Sequence, residues 1–493
     1  MKIIENIIKQ QNWLGDVGVI VYKNTELLYS DYVNKINYCS TLISQCSTYK
    51  PQIPVVIFME RSIEFMIAII AVLNAGCYYV PIEKPFPKNR LKEIINSLEN
   101  CILFTDNTVD IPINKSCVVI NLKNCDAYDN SIQYNFSSIE ANMSDTFYIM
   151  FTSGSNGKPK GINITYESII NLEQSLKEGV YKNVNARKNI ALLASFSFDA
   201  SVKQLIPNIF WGHKLFISEK NDRYFGRKLM SFLCKNSIHI IDMTPSILRI
   251  LDLCEYSVLV KLEKVLIGGE ILYWELISKN RERLNFCDFY NMYGPTECCA
   301  DVAYYKLPNS DRNKGIVPVG YPILNTRLLV MDDNNMVQGK GELIIVGKPV
   351  GNGYINHCNN AFFDYEGQKA YRTGDIAFID DSGAVVIVGR MNRQVKLNGF
   401  RIELDDISQT ISNLLHGSGV YVDIIKANND YLVAFLEGVN EQIASPQFII
   451  KSLKEYLPQY MIPKKYIYLK HFPLTVNGKL DIKALLNSIV GTL

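Results

Sequence analysis

Through most of the chain before Gly315, strand-like apolar runs alternate with helix-period segments: "VVIFM" (55–59), "CVVINL" (117–122), "KNIALLASF" (188–196) and "HIIDM" (239–243). Such runs, separated by stretches long enough for a crossover helix, predict α/β layers with mainly parallel sheets. From about Gly315 the texture shifts to short strands with glycine-rich turns, "GELIIVGKPVGNGY" and then "YRTGDIAFIDDSGAVVIVGR". That pattern predicts a small β-rich subdomain closing the large domain. After "GRMNRQ" a final block of about a hundred residues is long enough for a domain of its own. The expected fold class is therefore α/β: a large N-terminal domain of layered α/β subdomains plus a small β-rich subdomain, residues 1–391, and a small mobile C-terminal α+β domain, residues 392–493, with the hinge near Asn392.

Bulk properties exclude several classes of partner. With 493 residues, 48% hydrophobic, 20% charged and a net charge of +2, the chain has neither a nucleic-acid footprint nor the make-up of a disordered polyelectrolyte. Its 12 cysteines show no CxxC pair and its 5 histidines are isolated, which points to reduced thiols, read as small buried hydrophobes, and to no zinc site. The stretch "FMIAIIAVLNAGCYYVPI" (65–82) approaches membrane-spanning length, but Asn74, Gly76 and Pro81 make it a buried helix, a turn and a buried strand. The N-terminus "MKIIENIIKQQNW" carries Glu5 and lacks a signal-peptide h-region, so a cytoplasmic location is expected.

The segment "YIMFTSGSNGKPKG" (148–161) breaks from an apolar run into hydroxyls, three glycines and two lysines. Glycines let backbone N–H groups approach an anion, hydroxyls add donors, and Lys158 and Lys160 supply positive charge, so phosphate is the natural guest. The loop is not a Walker A sequence: Gly154 and Gly157 are too close, and Pro159 follows the lysine. Taken alone it could equally be an ordinary turn.

Further motifs decide between these readings. The loop is followed by "NMYGPTECC" (291–299), "YRTGD" (371–375), "GRMNRQVKLNGFRIEL" (389–404) and "PLTVNGKLD" (473–481), with "AGCYYVPIE" (75–83) and "LPQYMIP" (457–463) in the intervals. In this order they resemble the motif series of the adenylate-forming (ANL) superfamily, which comprises nonribosomal peptide synthetase adenylation domains, acyl-CoA synthetases and luciferases. The resemblance implies a ligase using ATP and Mg²⁺. It puts Thr152, Ser153, Gly154, Ser155, Gly157 and Lys158 on the phosphates, Tyr293 beside the adenine, Asp375 and Arg390 at the ribose, Thr296 near the α-phosphate and Glu297 on Mg²⁺. Lys479 would bridge the substrate carboxylate and the phosphate, and Gly399 would line the path of a phosphopantetheine thiol after the small domain rotates about Asn392. Departures from the pattern are Asn156 for a threonine, Asn392 for Asp or Lys, Asn398 for Arg and Asp405 for Gly.

"FSFDASVKQLIP" (196–207) resembles the amino-acid-activating branch, in which the residue at Asp199 pairs with the substrate α-ammonium. A local alternative is an Asp199–Lys203 pair four residues apart on a helix. The family's pocket positions fall on Asp199, Ala200, Lys203, Asp242, Leu266, Gly268, Met292, Ala300, Asp301 and Lys479, a pattern that resembles glutamate-activating domains. A buried γ-carboxylate needs a cation, which Lys203 supplies. Asp242 and Asp301 add negative charge, so either Lys203 is shared and one acid is protonated or solvated, or the side chain is an amide. Glutamine is the rival substrate.

The resemblance thus implies amino-acid adenylation, L-glutamate leading, to aminoacyl-AMP and pyrophosphate. The acyl group would then pass to the phosphopantetheine thiol of a separate carrier protein in natural-product biosynthesis. The expected partners are the amino acid and a trans-acting carrier, because the chain ends at "GTL" soon after Lys479; a small accessory protein stays open, and no nucleic acid or membrane is expected. Alternatives are a D-alanine–carrier protein ligase, against which Lys203 and the extra acids speak; an acyl-CoA ligase, against which Asp199 speaks; and, outside enzymes, a degenerate nucleotide-binding scaffold.

Overall fold

The computed structural model describes residues 2–107, 117–122, 132–152, 159–219, 222, 225–252, 261–281, 284, 287–309, 314–332, 335–337, 339–355, 360–391, 393–426, 430–442, 444–474 and 480–487. Two compact units separate: Met1–Pro85, Ile95–Phe151 and Lys160–Met391 form the first, and Phe86–Ile94, Thr152–Pro159 and Asn392–Leu493 the second.

Two mainly parallel sheets dominate the first unit. A seven-stranded sheet runs in the order Tyr354–Ile355, Lys160–Thr165, Thr146–Thr152, Tyr78–Glu83, Pro54–Met59, Cys101–Thr105, Cys117–Asn121. A nine-stranded sheet has the parallel strands Asp288–Tyr293, Lys264–Gly268, Ile240–Met243, Asn189–Leu192, Lys214–Ile217 and Gly18–Tyr22 in its middle and antiparallel strands at both ends. The helix Ile63–Asn74 is buried on almost every side, with Glu64 its one exposed residue, and Ser62 caps it by accepting from the Phe65 N–H. It ends before Gly76, whose φ of +69° suits glycine, and the chain turns into the strand Tyr78–Glu83. This is the helix, turn and strand expected of residues 65–82; among the described residues no helix is long and apolar enough to cross a membrane.

The third sheet is antiparallel and holds the glycine-rich segment: Thr326–Asp332, Gly341–Gly347 and the long strand Gln368–Ile379 lie side by side, and Val385–Arg390 pairs back on the last of these.

One strand is shorter than its apolar run suggests. Within 188–196 only Asn189–Leu192 is strand. The next two amides leave the ladder because the Gln204 side chain accepts from Leu193 and Ala194 N–H at 2.9 and 3.1 Å, and Phe196 N–H donates to Glu83. Side-chain acceptors thus replace a neighbouring strand, and the chain is freed to enter the turn that carries Asp199.

In the second unit a hairpin of Gln394–Leu397 and Phe400–Glu403 turns on Asn398 and Gly399, at φ of 53° and 78°. Two consecutive positive φ values are what a two-residue type I′ turn requires, and Asn-Gly is the pair that meets that need at least cost. The strands Gly419–Ile425, Tyr431–Glu437 and Lys465–Leu469 form a mixed sheet whose core includes Val433, Phe435, Ile467 and Leu485.

Candidate active site

The parallel strands Ile240–Met243 and Lys264–Gly268 of the nine-stranded sheet pack beside the helix Ala200–Trp211, and a buried polar cluster forms there. Asp242 and Leu266 are paired on adjacent strands, as are Gly268 and Met292. From the helix, Lys203 sends its ammonium to within 3.1 Å of Asp242 Oδ2 and donates to Asp301 Oδ1 at 3.2 Å. All three are less than 9% exposed. Lys203 forms no ion pair with Asp199, so the local four-residue pairing is not adopted; the amine points to the strand ends instead. Gly268 keeps the wall close: a Cβ there would stand 2.8 Å from the Met292 carbonyl oxygen and 3.5 Å from Lys203 Nζ.

Asp301 leaves a short irregular loop. Tyr293 ends its strand, Thr296–Cys298 makes one 3₁₀ turn, and Cys299 and Ala300 both take left-handed φ, 59° and 68°. Gly294 lies against that turn, and a Cβ at this position would meet the Ala300 carbonyl oxygen at 2.2 Å. Glycine is therefore a packing requirement in "YGPTE". The turn brings Thr296 onto Asp199, whose Oδ1 also accepts from Ala200 N–H at 2.8 Å at the start of the helix.

Four charges share this space. Burial pushes Asp242 up from 3.8 to about 6, against the pull of Lys203 and with a further push from Asp301. Asp301 is likewise raised by burial, against Lys203. Asp199 is raised by burial too, while Thr296 and Lys203 oppose the rise. Burial works against the charge on Lys203, but the two flanking carboxylates outweigh it and hold its affinity for a proton above that of an ordinary lysine. Lys203 is thus shared between two acids, and burial raises the proton affinity of both. Asp301 Oδ2 is buried with no hydrogen-bond partner among the described residues.

On the other side of "NMYGPTE", the Tyr293 hydroxyl donates to Asp375 Oδ2 at 2.6 Å, and Arg390 Nη1 stands 3.2 Å from Asp375 Oδ1. Asp375 and Arg390 are direct partners across their hairpin. Arg390 also donates to the Thr373 carbonyl at 2.8 Å, and the Thr373 hydroxyl accepts from Asp375 N–H at 2.9 Å. Burial, reinforced by Asp375, raises the Tyr293 phenol far above its ordinary range, so it stays a donor. Glu297 is 1% exposed and accepts from the Tyr354 hydroxyl at 2.7 Å, and Lys160 Nζ lies over the Tyr354 ring.

The structure therefore brings together Asp199, Ala200, Lys203, Asp242, Leu266, Gly268, Met292, Ala300 and Asp301 as one group, and Tyr293, Thr296, Glu297, Asp375 and Arg390 around the same loop. Thr152 is the last residue of the strand Thr146–Thr152, and Gly399 is in the second unit's hairpin. Ser153, Gly154, Ser155, Gly157, Lys158, Asn392 and Lys479 lie outside the described residues.

Sequence reading missed Tyr354, which "GNGY" shows only as texture, and a buried pair behind Asp199. Arg61 stands 3.3 Å from Glu83 and donates to the carbonyls of Leu192, Ala194 and Ser218 at 2.5, 2.7 and 2.7 Å. Glu83 in turn accepts from the Ser195 hydroxyl and Phe196 N–H, both at 3.0 Å. The pair fixes the segment that leads into Asp199 from the end of the strand Tyr78–Glu83; the signal was the terminal Glu83 of "AGCYYVPIE".

Residues 9–355 match the family described as AMP-binding enzyme. Zwittermicin A synthase ZmaJ of Bacillus cereus is 31% identical over 95% of this chain and 92% of its own length. Bacitracin synthase 1 of Bacillus licheniformis is 30% identical over 98% of this chain, which spans only 9% of that much longer protein. Among solved structures, holo-PA1221, a nonribosomal peptide synthetase protein containing adenylation and PCP domains and bound to a vinylsulfonamide inhibitor, has the same fold: TM-score 0.83 over 99% of this chain and 84% of that one, at 22% identity. The chain belongs to the AMP-binding enzyme family, the adenylate-forming ligases that include the adenylation domains of nonribosomal peptide synthetases.

Proposed function

We propose that this ligase activates L-glutamate with ATP, forming glutamyl-AMP and pyrophosphate, and passes the glutamyl group to the phosphopantetheine thiol of a separate carrier protein. The observation that carries the reading is the buried Lys203 ammonium, held between Asp242 and Asp301 on the helix that begins beside Asp199. Asp199 would take the α-ammonium and Lys203 the γ-carboxylate. The free α-carboxylate oxygen then attacks the α-phosphorus, an O–P bond forms, and pyrophosphate leaves with the electrons of the bond that breaks.

Positioning and fixed charge supply the rate, with no covalent enzyme intermediate. Tyr293, Asp375 and Arg390 would hold the nucleoside, and Thr296 the α-phosphate region. Thr152, Ser153, Gly154, Ser155, Gly157 and Lys158 would hold the remaining phosphates, and Lys479 would bridge the reacting oxygens. Glu297, a buried carboxylate held by the Tyr354 hydroxyl, would hold Mg²⁺, a hard cation that takes oxygen ligands. When bound it spreads the charge of the departing pyrophosphate. Residues 1–391 would be the adenylating core. Residues 392–493 would rotate about Asn392 to exchange Lys479 for the Gly399 hairpin. The likeness to a protein whose chain contains both adenylation and PCP domains supports a carrier as partner.

Glutamine is a second reading, favoured by the buried Asp301 Oδ2, an acceptor suited to an amide N–H. The test is exchange of labelled pyrophosphate into ATP across the proteinogenic amino acids with D-alanine and 2-aminoadipate added, on the wild type and Lys203→Gln. Exchange led by glutamate, moving toward glutamine in the variant, supports the first reading. A wild type led by glutamine supports the second, and silence with every amino acid defeats both.

A further inference from the structure

The strands Cys101–Thr105 and Cys117–Asn121 are parallel neighbours, and the latter is the edge strand of the seven-stranded sheet. Their first residues are direct partners, so both thiols are on one face, and Cys101 Sγ donates to Cys117 Sγ at 3.0 Å. Neighbouring strands lie about 4.8 Å apart, within the range of Cα separations that a disulfide accepts, so closure needs little backbone movement. Both cysteines are free thiols. Cys101 is 1% exposed, whereas Cys117 is half-buried at the start of the edge strand, so an oxidant reaches Cys117 first.

The geometry points to Cys101 and Cys117 as a reversible two-cysteine redox site, distinct from the candidate active site, that closes to a disulfide with hydrogen peroxide as oxidant. The Cys101 hydrogen bond lowers the Cys117 thiol, against burial, which favours its thiolate as the attacking group. That thiolate attacks one peroxide oxygen, the O–O bond breaks, and hydroxide leaves and is protonated to water, so Cys117 becomes a sulfenic acid. Cys101 sulfur then attacks Cys117 sulfur, its proton leaves with the sulfenic hydroxyl as a second water, and the S–S bond forms. Two thiols are oxidised and one peroxide is reduced to two waters. The bond ties the edge strand to its neighbour and closes a short loop, which stabilises the fold by constraining the unfolded chain.

The test treats the full chain with one equivalent of hydrogen peroxide, counts thiols after denaturation and maps peptides by mass spectrometry. The expected result is a loss of two thiols, a Cys101–Cys117 cross-linked peptide, a raised melting temperature and full reversal by a dithiol reductant. Cys101→Ser should form no cross-link and should leave a Cys117 sulfenic acid that dimedone traps; Cys117→Ser should leave Cys101 reduced. Retention of all thiols by the wild type, or a cross-link between other cysteines with Cys101 and Cys117 still reduced, would overturn the inference. These readouts do not depend on which amino acid is activated.

Discussion

The Tyr293 phenol and the Asp375 carboxylate are joined by a 2.6 Å hydrogen bond between two different sheets of the first unit, one side chain from the end of the strand Asp288–Tyr293 and the other from the long strand Gln368–Ile379. With Arg390 on its second oxygen, Asp375 is held in one orientation from two directions.

Tyr293→Phe keeps the ring and removes the donor. If Asp375 receives the ribose, the KM for ATP should rise by about tenfold, in line with ~1.5 kcal/mol for a hydrogen bond to a charged group. The KM for the amino acid should stay within about twofold. An unchanged KM for ATP in pyrophosphate exchange would separate this pair from nucleotide binding.

Because burial raises Asp242 to about 6, lowering the pH from 8 through 6 adds a proton beside Lys203. The amine is then less occupied, so exchange with glutamate should gain relative to exchange with glutamine as pH falls, and Asp242→Asn should flatten the ratio. The stability linkage has the same origin: between 3.8 and about 6 the folded state holds a proton that the unfolded carboxyl has lost. This contribution is fully present below that window and is lost as pH rises through it. Parallel denaturant titrations at pH 4, 5 and 7, wild type against Asp242→Asn, measure it.

Removing one member of a buried ion pair leaves the other charge uncompensated. Arg61→Met should destabilise the fold by about 3–5 kcal/mol in urea unfolding. It should also raise the KM for the amino acid more than that for ATP, since Glu83 loses the partner that keeps the segment before Asp199 in place. Equal effects on both constants would make the pair purely structural.

Gly294→Ala tests the crowding of the loop. Its new Cβ would collide with backbone, not with a flexible side chain, so the Ala300–Asp301 segment must shift. Adenylation should fall at least a hundredfold with the melting temperature lowered by only a few degrees, and pyrophosphate exchange beside a thermal scan reads both.

Much of this was legible because the chemistry is concentrated in short motifs. Asp199, Tyr293, Glu297 and Asp375 were named from motifs that resemble those of the family, and the pleat and register of parallel strands put Asp242, Leu266, Gly268 and Met292 on one face. What escaped notice depends on long-range backbone acceptors. Arg61 meets carbonyls 131 to 157 residues away, and no periodicity encodes that. The overlong strand at 188–196 has the same cause: the Gln204 amide, not hydropathy, ends the ladder. The Asp199–Lys203 alternative was reasonable for an exposed helix, but on a buried face the amine is drawn to the two acids at the strand ends. Cys101 and Cys117 have no motif spacing, and only strand register brings them together.

The left-handed pair Cys299–Ala300 sets the path of the backbone into Asp301 at a cost in stability. Each non-glycine residue there costs about 1–2 kcal/mol, and Ala300→Gly would relieve one such cost. Yet the same turn leads into Asp301, whose carboxylate shares Lys203. If Lys203 and Asp301 read the substrate side chain, variants selected for heat resistance at this turn should become less discriminating between a carboxylate and an amide, and variants selected for discrimination should melt earlier.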